Sequence, residues 1–199
     1  MRKLSNRAHW EVSKGSPEQN FTYCTKDKDF VQNGFEKKPI FKDELAARLL
    51  KKYEGVKWRQ WQTDLLAKLE EVPDARTINW VCDYKGNSGK SYLTKYITLT
   101  NEVIIADGKK DNIFNQVNRM LSEEEKEFKI VLLDIPRSAE GYINYGVLEQ
   151  LKNGLLYSGK YEGGKCLFDD VHVVVFANFM PDRSQFSEDR WNIIELNEN

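Results

Sequence analysis

The sequence predicts an α/β fold built on a mostly parallel sheet with helices on both faces. Short apolar runs alternate with segments of helical spacing from residue 78 onward, and strands separated by helices pair in parallel. One run, Ile78-Asn79-Trp80-Val81-Cys82, passes through a glycine-containing turn into Gly89-Lys90-Ser91 and a helix. Another, from Phe128 to Leu133, ends on Asp134. Ligands of such a sheet sit beyond the carboxyl ends of its strands.

The 199 residues are 40% apolar and 31% charged, enough for one packed domain and a smaller appendage. No apolar run approaches the ~20 residues of a membrane span, and Met1-Arg2-Lys3 opens no signal peptide. Cys24, Cys82 and Cys166 are far apart with no Cys-x-x-Cys pair, which fits reduced cysteines of an intracellular protein. Residues 1–60 hold 14 Lys/Arg against 8 Asp/Glu, or +6, while the remainder holds 16 against 23, or −7. A basic amino-terminal part suits a polyanion; solvated lysine-rich helix faces explain it equally well.

In chain order, residues 1–38 read as a small irregular unit, with a short strand at 8–12, a turn at Gly15-Ser16-Pro17 and a short helix from Pro17 to Lys26. This is too little to bury its own core. Residues 39–74 read as helical. Leu45, Ala46, Leu49, Leu50 and Tyr53 share one face, and Gly55 ends the run. Trp58, Trp61, Leu65, Leu66 and Leu69 share the next, stopped by Pro73. Two tryptophans one turn apart are expected in a core; a subunit contact is the sharper alternative. Residues 75–199 form the body, with strands predicted at 78–83, 103–107, 130–134, 171–177 and 192–196. Helices are predicted at 90–99, 111–121 and 143–153, with an acidic turn at Glu123–Glu127.

The chemistry is expected at the strand ends. Strand, turn, Gly-Lys-Ser and helix form the layout of a phosphate-binding loop, with backbone N–H groups and the helix N-terminus facing phosphate. Lys90 would reach the β/γ-phosphates and Ser91 would ligate Mg²⁺. Tyr84 stands where the pattern G-x-x-x-x-G-K-[ST] has glycine, and a plain surface turn is the alternative. Asp134 would place a carboxylate beside the Mg²⁺. The following Ile135-Pro136-Arg137 lacks a second acid, and Glu140 is nearby in sequence. Asn178, after the run His172–Ala177, can hydrogen-bond a γ-phosphate or the attacking water, or simply cap a turn before Pro181. Arg190 can serve as a finger toward a departing phosphate, or pair on the surface with Glu188 or Asp189. Leu155–Lys165 reads as a hairpin whose Lys160 or Lys165 suits single-stranded DNA, or as a plain solvated hairpin.

Taken together, these residues resemble the replication initiator (Rep) proteins of small circular single-stranded DNA viruses, in particular those of nanoviruses and their alphasatellites. The matches are Gly86-Asn-Ser-Gly-Lys-Ser91, Leu132-Leu-Asp-Ile-Pro-Arg137, Tyr142-Ile-Asn-Tyr-Gly146, Leu151-Lys-Asn-Gly154, Ser158-Gly-Lys-Tyr161, Ala177-Asn-Phe179 and Phe186-Ser-Glu-Asp-Arg190. The resemblance implies a superfamily-3 helicase domain, a P-loop NTPase of AAA+-like fold that uses ATP and Mg²⁺ and assembles as a hexameric ring around DNA. Gly86, Asn87, Ser88, Gly89, Lys90 and Ser91 then hold the nucleotide, Ser91 and Asp134 the metal. Asn178 matches the sensor position, and Arg190 resembles the finger that reaches a neighbour's nucleotide. Residues 39–74 lie where the family carries its oligomerisation segment. Lys160 and Lys165 fall in its DNA-contacting loop.

Residues 1–38 resemble the carboxyl-terminal remnant of the family's HUH endonuclease domain. Asn20-Phe21-Thr22-Tyr23-Cys24-Thr25-Lys26 looks like its Tyr-x-x-Lys motif, in which the tyrosine attacks a DNA phosphodiester and the lysine assists by charge. A His-x-His metal pair is missing, since His9 and His172 are the only histidines. The expectation is a fragment or a truncated Rep, with no nicking by this chain alone. The leading function is an ATP-dependent DNA helicase of rolling-circle replication, acting on single-stranded and origin DNA in the host nucleus. The alternative is a non-catalytic partner that joins full-length Rep and modulates it. A P-loop kinase fits poorly, because no arginine-rich acceptor lid is visible.

Overall fold

The computed structural model describes residues 41–158 and 164–196, together with Gly15, Ser16 and Gln19. The chain divides into two units, Met1–Asp43 and Glu44–Asn199. In the first, the Ser16 amide donates to Gln19 Oε1 at 3.0 Å and the Gln19 amide donates to Ser16 Oγ at 3.2 Å. Such a reciprocal pair satisfies two open donors of a first helical turn, where the sequence predicts a short helix. The strand expected at 8–12 and the residues Tyr23, Cys24 and Lys26 lie outside the described residues, as does Lys160.

The elements that follow are α1 (Phe41–Leu50), a 3₁₀ turn at Lys51–Tyr53, α2 (Gln60–Glu70), β1 (Ile78–Cys82), α3 (Lys90–Thr100), β2 (Val103–Ala106) and α4 (Lys110–Asn118). After them come β3 (Ile130–Asp134), α5 (Tyr145–Lys152), β4 (Leu155–Ser158), β5 (Gly164–Leu167), β6 (His172–Ala177) and β7 (Trp191–Glu195). The strands and helices predicted from residue 43 onward are present, with ends displaced by a few residues. Helix α4 runs into a π-turn at Arg119–Glu123, which ends where the predicted acidic turn begins.

Five strands make one parallel sheet in the order β2-β3-β6-β1-β7, and β4 and β5 pair separately as an antiparallel hairpin. The central strands β1 and β6 are buried at every residue, because helices cover both faces. Side chains alternate between those faces. Trp80, Cys82, Leu133, Val173 and Val175 pack on one side with Ile113, Val117, Leu148 and Leu151 from α4 and α5. Val81, Leu132, Val174 and Phe176 pack on the other with Leu65 of α2 and Leu93 and Ile97 of α3. Trp58 and Trp61 are partly buried against this second cluster, and Trp61 meets Phe176 edge-on at 6.4 Å between ring centroids. Both tryptophans therefore anchor the α2 segment to the sheet. The lone polar residue inside β1, Asn79, donates to the Val173 carbonyl at 3.4 Å and accepts from Asn192 of β7 at 2.8 Å, so its burial leaves no amide group unpaired. Cys82 and Cys166 are free and buried, as the sequence led us to expect.

The amino edge of the sheet carries buried charge. Lys152, 1% exposed, donates to the carbonyls of Asp74 and Val171 at 2.5 and 2.6 Å. Burial lowers its pKa against the pull of Asp74 and Asp170. Burial also opposes the charge of Asp74, yet the amides of Thr77 and Arg76 and the Lys152 ammonium bring its carboxyl down to about 2. Beside them His172 is 2% exposed, and its Nε2 lies 3.0 Å from the Glu71 carbonyl. A carbonyl only accepts, so this nitrogen carries a proton. Burial, reinforced by Lys152 and Lys68, lowers the imidazole pKa against that hydrogen bond, so the fold favours the neutral ring.

The unfolded chain binds a proton at His172 near the ordinary pKa of 6.5 while the folded chain resists it. Its contribution to stability is therefore present above that value and lost as pH falls below it. Denaturant unfolding of the wild type should show acid destabilisation beginning there, and His172→Gln should flatten that segment of the curve.

Candidate functional site

The β1 ladder runs one residue past the strand, with the Asp83 amide donating to the Ala177 carbonyl at 3.0 Å. This fixes Asp83 at the mouth of the turn, where it is 3% exposed. Its Oδ1 accepts from the Gly86 amide at 2.8 Å. Its Oδ2 accepts from the Ser88 amide at 3.4 Å, the Ser88 hydroxyl at 2.5 Å and Lys90 Nζ at 2.8 Å. Burial opposes the charge, but Lys90, Ser88 and Gly86 outweigh it and hold the carboxyl well below the usual carboxylate range. The ammonium of Lys90 is itself largely buried, its side chain 11% exposed.

The turn is made by three left-handed residues, Gly86 at φ 87°, Asn87 at φ 62° and Gly89 at φ 91°. Glycine takes this conformation without penalty and asparagine tolerates it. Tyr84 is not among the described residues with positive φ. The position where the pattern expects glycine therefore makes no such demand here.

The loop is braced from α2. Gln62, 4% exposed, accepts from the Arg59 amide at 3.0 Å, closing the N-terminus of α2, and donates to the Gly89 carbonyl at 3.3 Å. A Cβ on Gly89 would stand 2.9 Å from Gln62 Nε2. Further along α3, Tyr92 and Tyr96 pack with Tyr53 and Trp58 at centroid distances of 4.7 to 5.8 Å. Sequence reasoning missed Gln62. Its only signal was a polar residue beside Trp61 and Leu65 on the buried face of α2.

Parallel pairing brings the other expected residues to the same edge. Asp134 ends β3 in register with Phe176 of β6, and Cys82 of β1 is in register with Ala177. Asn178 follows directly, and its Nδ2 donates to the Asp83 carbonyl. The strand carrying Asn178 thus lies between the loop strand and the Asp134 strand. Arg137, three residues beyond Asp134, donates from Nη2 to the Tyr84 carbonyl, a second brace absent from the sequence reading. Glu140 is exposed in the same loop. A cavity of about 130 Å³ opens nearby, but Leu133, Ile135, Ile143 and Val147 line much of it, walls unsuited to a polyphosphate.

The edge therefore offers turn amides, an ammonium, a hydroxyl, an exposed carboxylate and a side-chain amide. These residues fit a nucleotide with Mg²⁺ in kind: the left-handed turn carries the lysine and the helix N-terminus that follow it, and Ser91 and Asp134 supply hard oxygen donors. Among the described residues no group of three or more His, Cys, Asp or Glu could hold a metal alone. Mg²⁺ commonly binds one or two protein oxygens, with phosphate and water completing its shell.

Two expected residues lie elsewhere. Trp191 is in register with Ile78, the first residue of β1, so Arg190 sits at the amino edge, roughly 15 Å from the loop at ~3.3 Å per strand residue. Neither surface pair considered for it forms. Asp189 pairs with Arg76 at 2.7 Å, and Glu188 pairs with Arg183. Arg190 instead stands 3.8 Å from Glu149 and 5.7 Å over the Phe186 ring, with its side chain 13% exposed. Lys165 is exposed on β5 opposite Tyr157, and Lys110 lies 4.0 Å over the Tyr157 ring.

No family model matches the chain. It is 37% identical over 165 residues to the master replication protein of subterranean clover stunt virus (strain F), covering 81% of this chain and 55% of that protein. It is 32% identical over 222 residues to Para-Rep C2 of the subterranean clover stunt C2 alphasatellite, covering 97% of the chain and 77% of that protein. With Para-Rep C7 of the faba bean necrotic yellows C7 alphasatellite it shares 34% identity over 232 residues, covering 98% and 79%. The chain thus matches about half of the first of these relatives.

The brace at Gly89 is open to test without any ligand. Gly89→Ala combines a strained φ with a clash against Gln62 and should cost roughly 1–3 kcal/mol. Adding Gln62→Ala should relieve the clash and leave the φ strain. Denaturant unfolding of the single and double variants measures both parts.

Proposed function

The chain belongs to the replication initiator (Rep) proteins of circular single-stranded DNA viruses and their satellites, and from that premise we propose that residues 75–199 are the ATP-dependent helicase part of the rolling-circle replication machinery. One observation carries this reading: the Gly86–Ser91 loop, Asp134 and Asn178 end three adjacent parallel strands at one edge.

In this reading the loop amides and Lys90 bind the polyphosphate of ATP, and Ser91 and Asp134 hold Mg²⁺. The metal supplies charge neutralisation on the transferring phosphoryl group. Asn178, held between Asp83 and the Asp134 strand, orients the γ-phosphate or the attacking water. Arg190 cannot reach the loop of its own chain from the opposite edge. Its role as a finger requires a neighbour, which fits a ring such as a hexamer. Lys165 on β5, together with Lys160, contacts single-stranded DNA. Tyr23 and Lys26 belong to the Tyr-x-x-Lys motif of the nicking domain, which acts on origin DNA, and the work is done in the host nucleus. No helix among the described residues is long and apolar enough to cross a membrane.

The position of Arg190 also favours a second reading. A chain whose site is completed by its neighbour can enter mixed rings with full-length Rep and alter their activity without turning over ATP itself.

Lys90→Ala should lower DNA-stimulated ATP hydrolysis about a hundredfold or more; turnover that survives it would refute the loop assignment. Arg190→Ala should be equally inactive alone. Mixing the two variants should restore part of the activity, because mixed rings contain sites with an intact loop facing an intact Arg190. Rings that form from the wild-type chain without hydrolysing ATP would select the second reading.

A further inference from the structure

The loop is not simply open to a phosphate. Its Gly86 and Ser88 amides, its Ser88 hydroxyl and its Lys90 ammonium already converge on an anion, and that anion is Asp83. These are the kinds of group that a phosphate-binding loop offers to its ligand. Asp83 is nearly inaccessible, and Lys90 is its ion-pair partner at 2.8 Å.

We propose that Asp83 is an internal competitor for the phosphate loop, holding Lys90 when the site is empty and weakening the grip on bound nucleotide. The inference rests on reading the loop as a polyphosphate site, and it assigns the loop's affinity to a residue outside the Gly86–Ser91 motif. The physical reason is a shared cation. If Lys90 turns to a phosphate, the Asp83 carboxylate is left buried without its partner, which is costly. If Lys90 stays, the phosphate loses its principal positive charge. In either case two anions face each other in a poorly solvated turn, where their repulsion is stronger than in water. The anchoring of Asp83 makes the competition permanent. Its amide is tied to Ala177 and its carbonyl to Asn178, so it cannot swing away with the loop. The depressed pKa of the carboxyl keeps it charged at any pH where the protein works. A polyphosphate is thus bound against a standing penalty, and a diphosphate product is released more readily than from a loop without that carboxylate.

The test is binding of Mg²⁺-ADP to the full chain by titration calorimetry, in wild type, Asp83→Asn, Asp83→Ser and Lys90→Ala. Asp83→Asn keeps the side chain's shape and an acceptor for Gly86 while removing the charge. It should bind ADP about tenfold more tightly, with most of the change in a slower off-rate, since the lost term is that of a buried charge pair. Without nucleotide it should unfold at a lower temperature than wild type, and the rise in that temperature on adding ADP should be larger. Asp83→Ser should move affinity in the same direction. Unchanged or weaker binding in either folded variant would overturn the inference and make Asp83 a scaffold of the turn. Failure of both variants to fold would do the same. If wild type binds no ADP and Lys90→Ala changes nothing, the polyphosphate reading falls and the inference with it. Wild-type binding that Lys90→Ala abolishes, without tightening in the Asp83 variants, would sink the competition alone.

Discussion

A parallel sheet covered by helices on both faces has no free face for chemistry, so polar function is confined to its two edges. Every residue of β1 and β6 is buried, and the polar residues of the candidate site stand where the strands stop. The carboxyl edge receives the turn after β1, Asp134 from β3 and Asn178 from β6. The amino edge receives Lys152, His172, Asp74 and Arg190. The two sets are separated by the length of the strands and act on different things. The first forms the candidate site within one chain. The second locks the sheet's amino rim and includes Arg190, which lies against Glu149 and Phe186.

The helices ahead of the sheet are joined to the site through packing. Leu65 and Trp61 bury α2 on the face formed by Phe176, Val174 and Val81. That contact fixes Gln62 against Gly89, so a shift of α2 would move the first turn of α3. Tyr53 and Trp58 make the same connection through Tyr92 and Tyr96.

Asp83 gives the site its particular character. Many of its features follow from one buried carboxylate placed where the strand ends. It shapes the turn through Gly86 and Ser88, it holds Lys90 ready, and it gives the loop an anion of its own. Arg137 supports the outer side of the turn through the Tyr84 carbonyl, standing in the segment where a second acid was looked for. The loop is therefore braced from three elements, β6 through Asn178, the segment after β3 through Arg137, and α2 through Gln62.

Strand and helix order, the covered parallel sheet and the residues at its carboxyl edge were legible in the sequence. Continuous apolar runs, helical spacing and Gly-Lys-Ser are local signals, and each reflects a local physical preference. Tyr84 shows the limit of such reading. A missing glycine looked like a defect, and only the backbone reveals that the left-handed positions are Gly86, Asn87 and Gly89. The roles of Gln62 and Arg137 were invisible for a related reason. Each acts on a backbone or side-chain group brought close by the fold, and residues 62 and 89, or 84 and 137, are far apart in the chain. The edge on which Arg190 lies was likewise undecided until β7 paired with β1 in register. Sequence alone determined which polar groups stand beyond the ends of the strands. Tertiary structure decided which of them face one another, because strand register and helix packing set distances that no local pattern encodes.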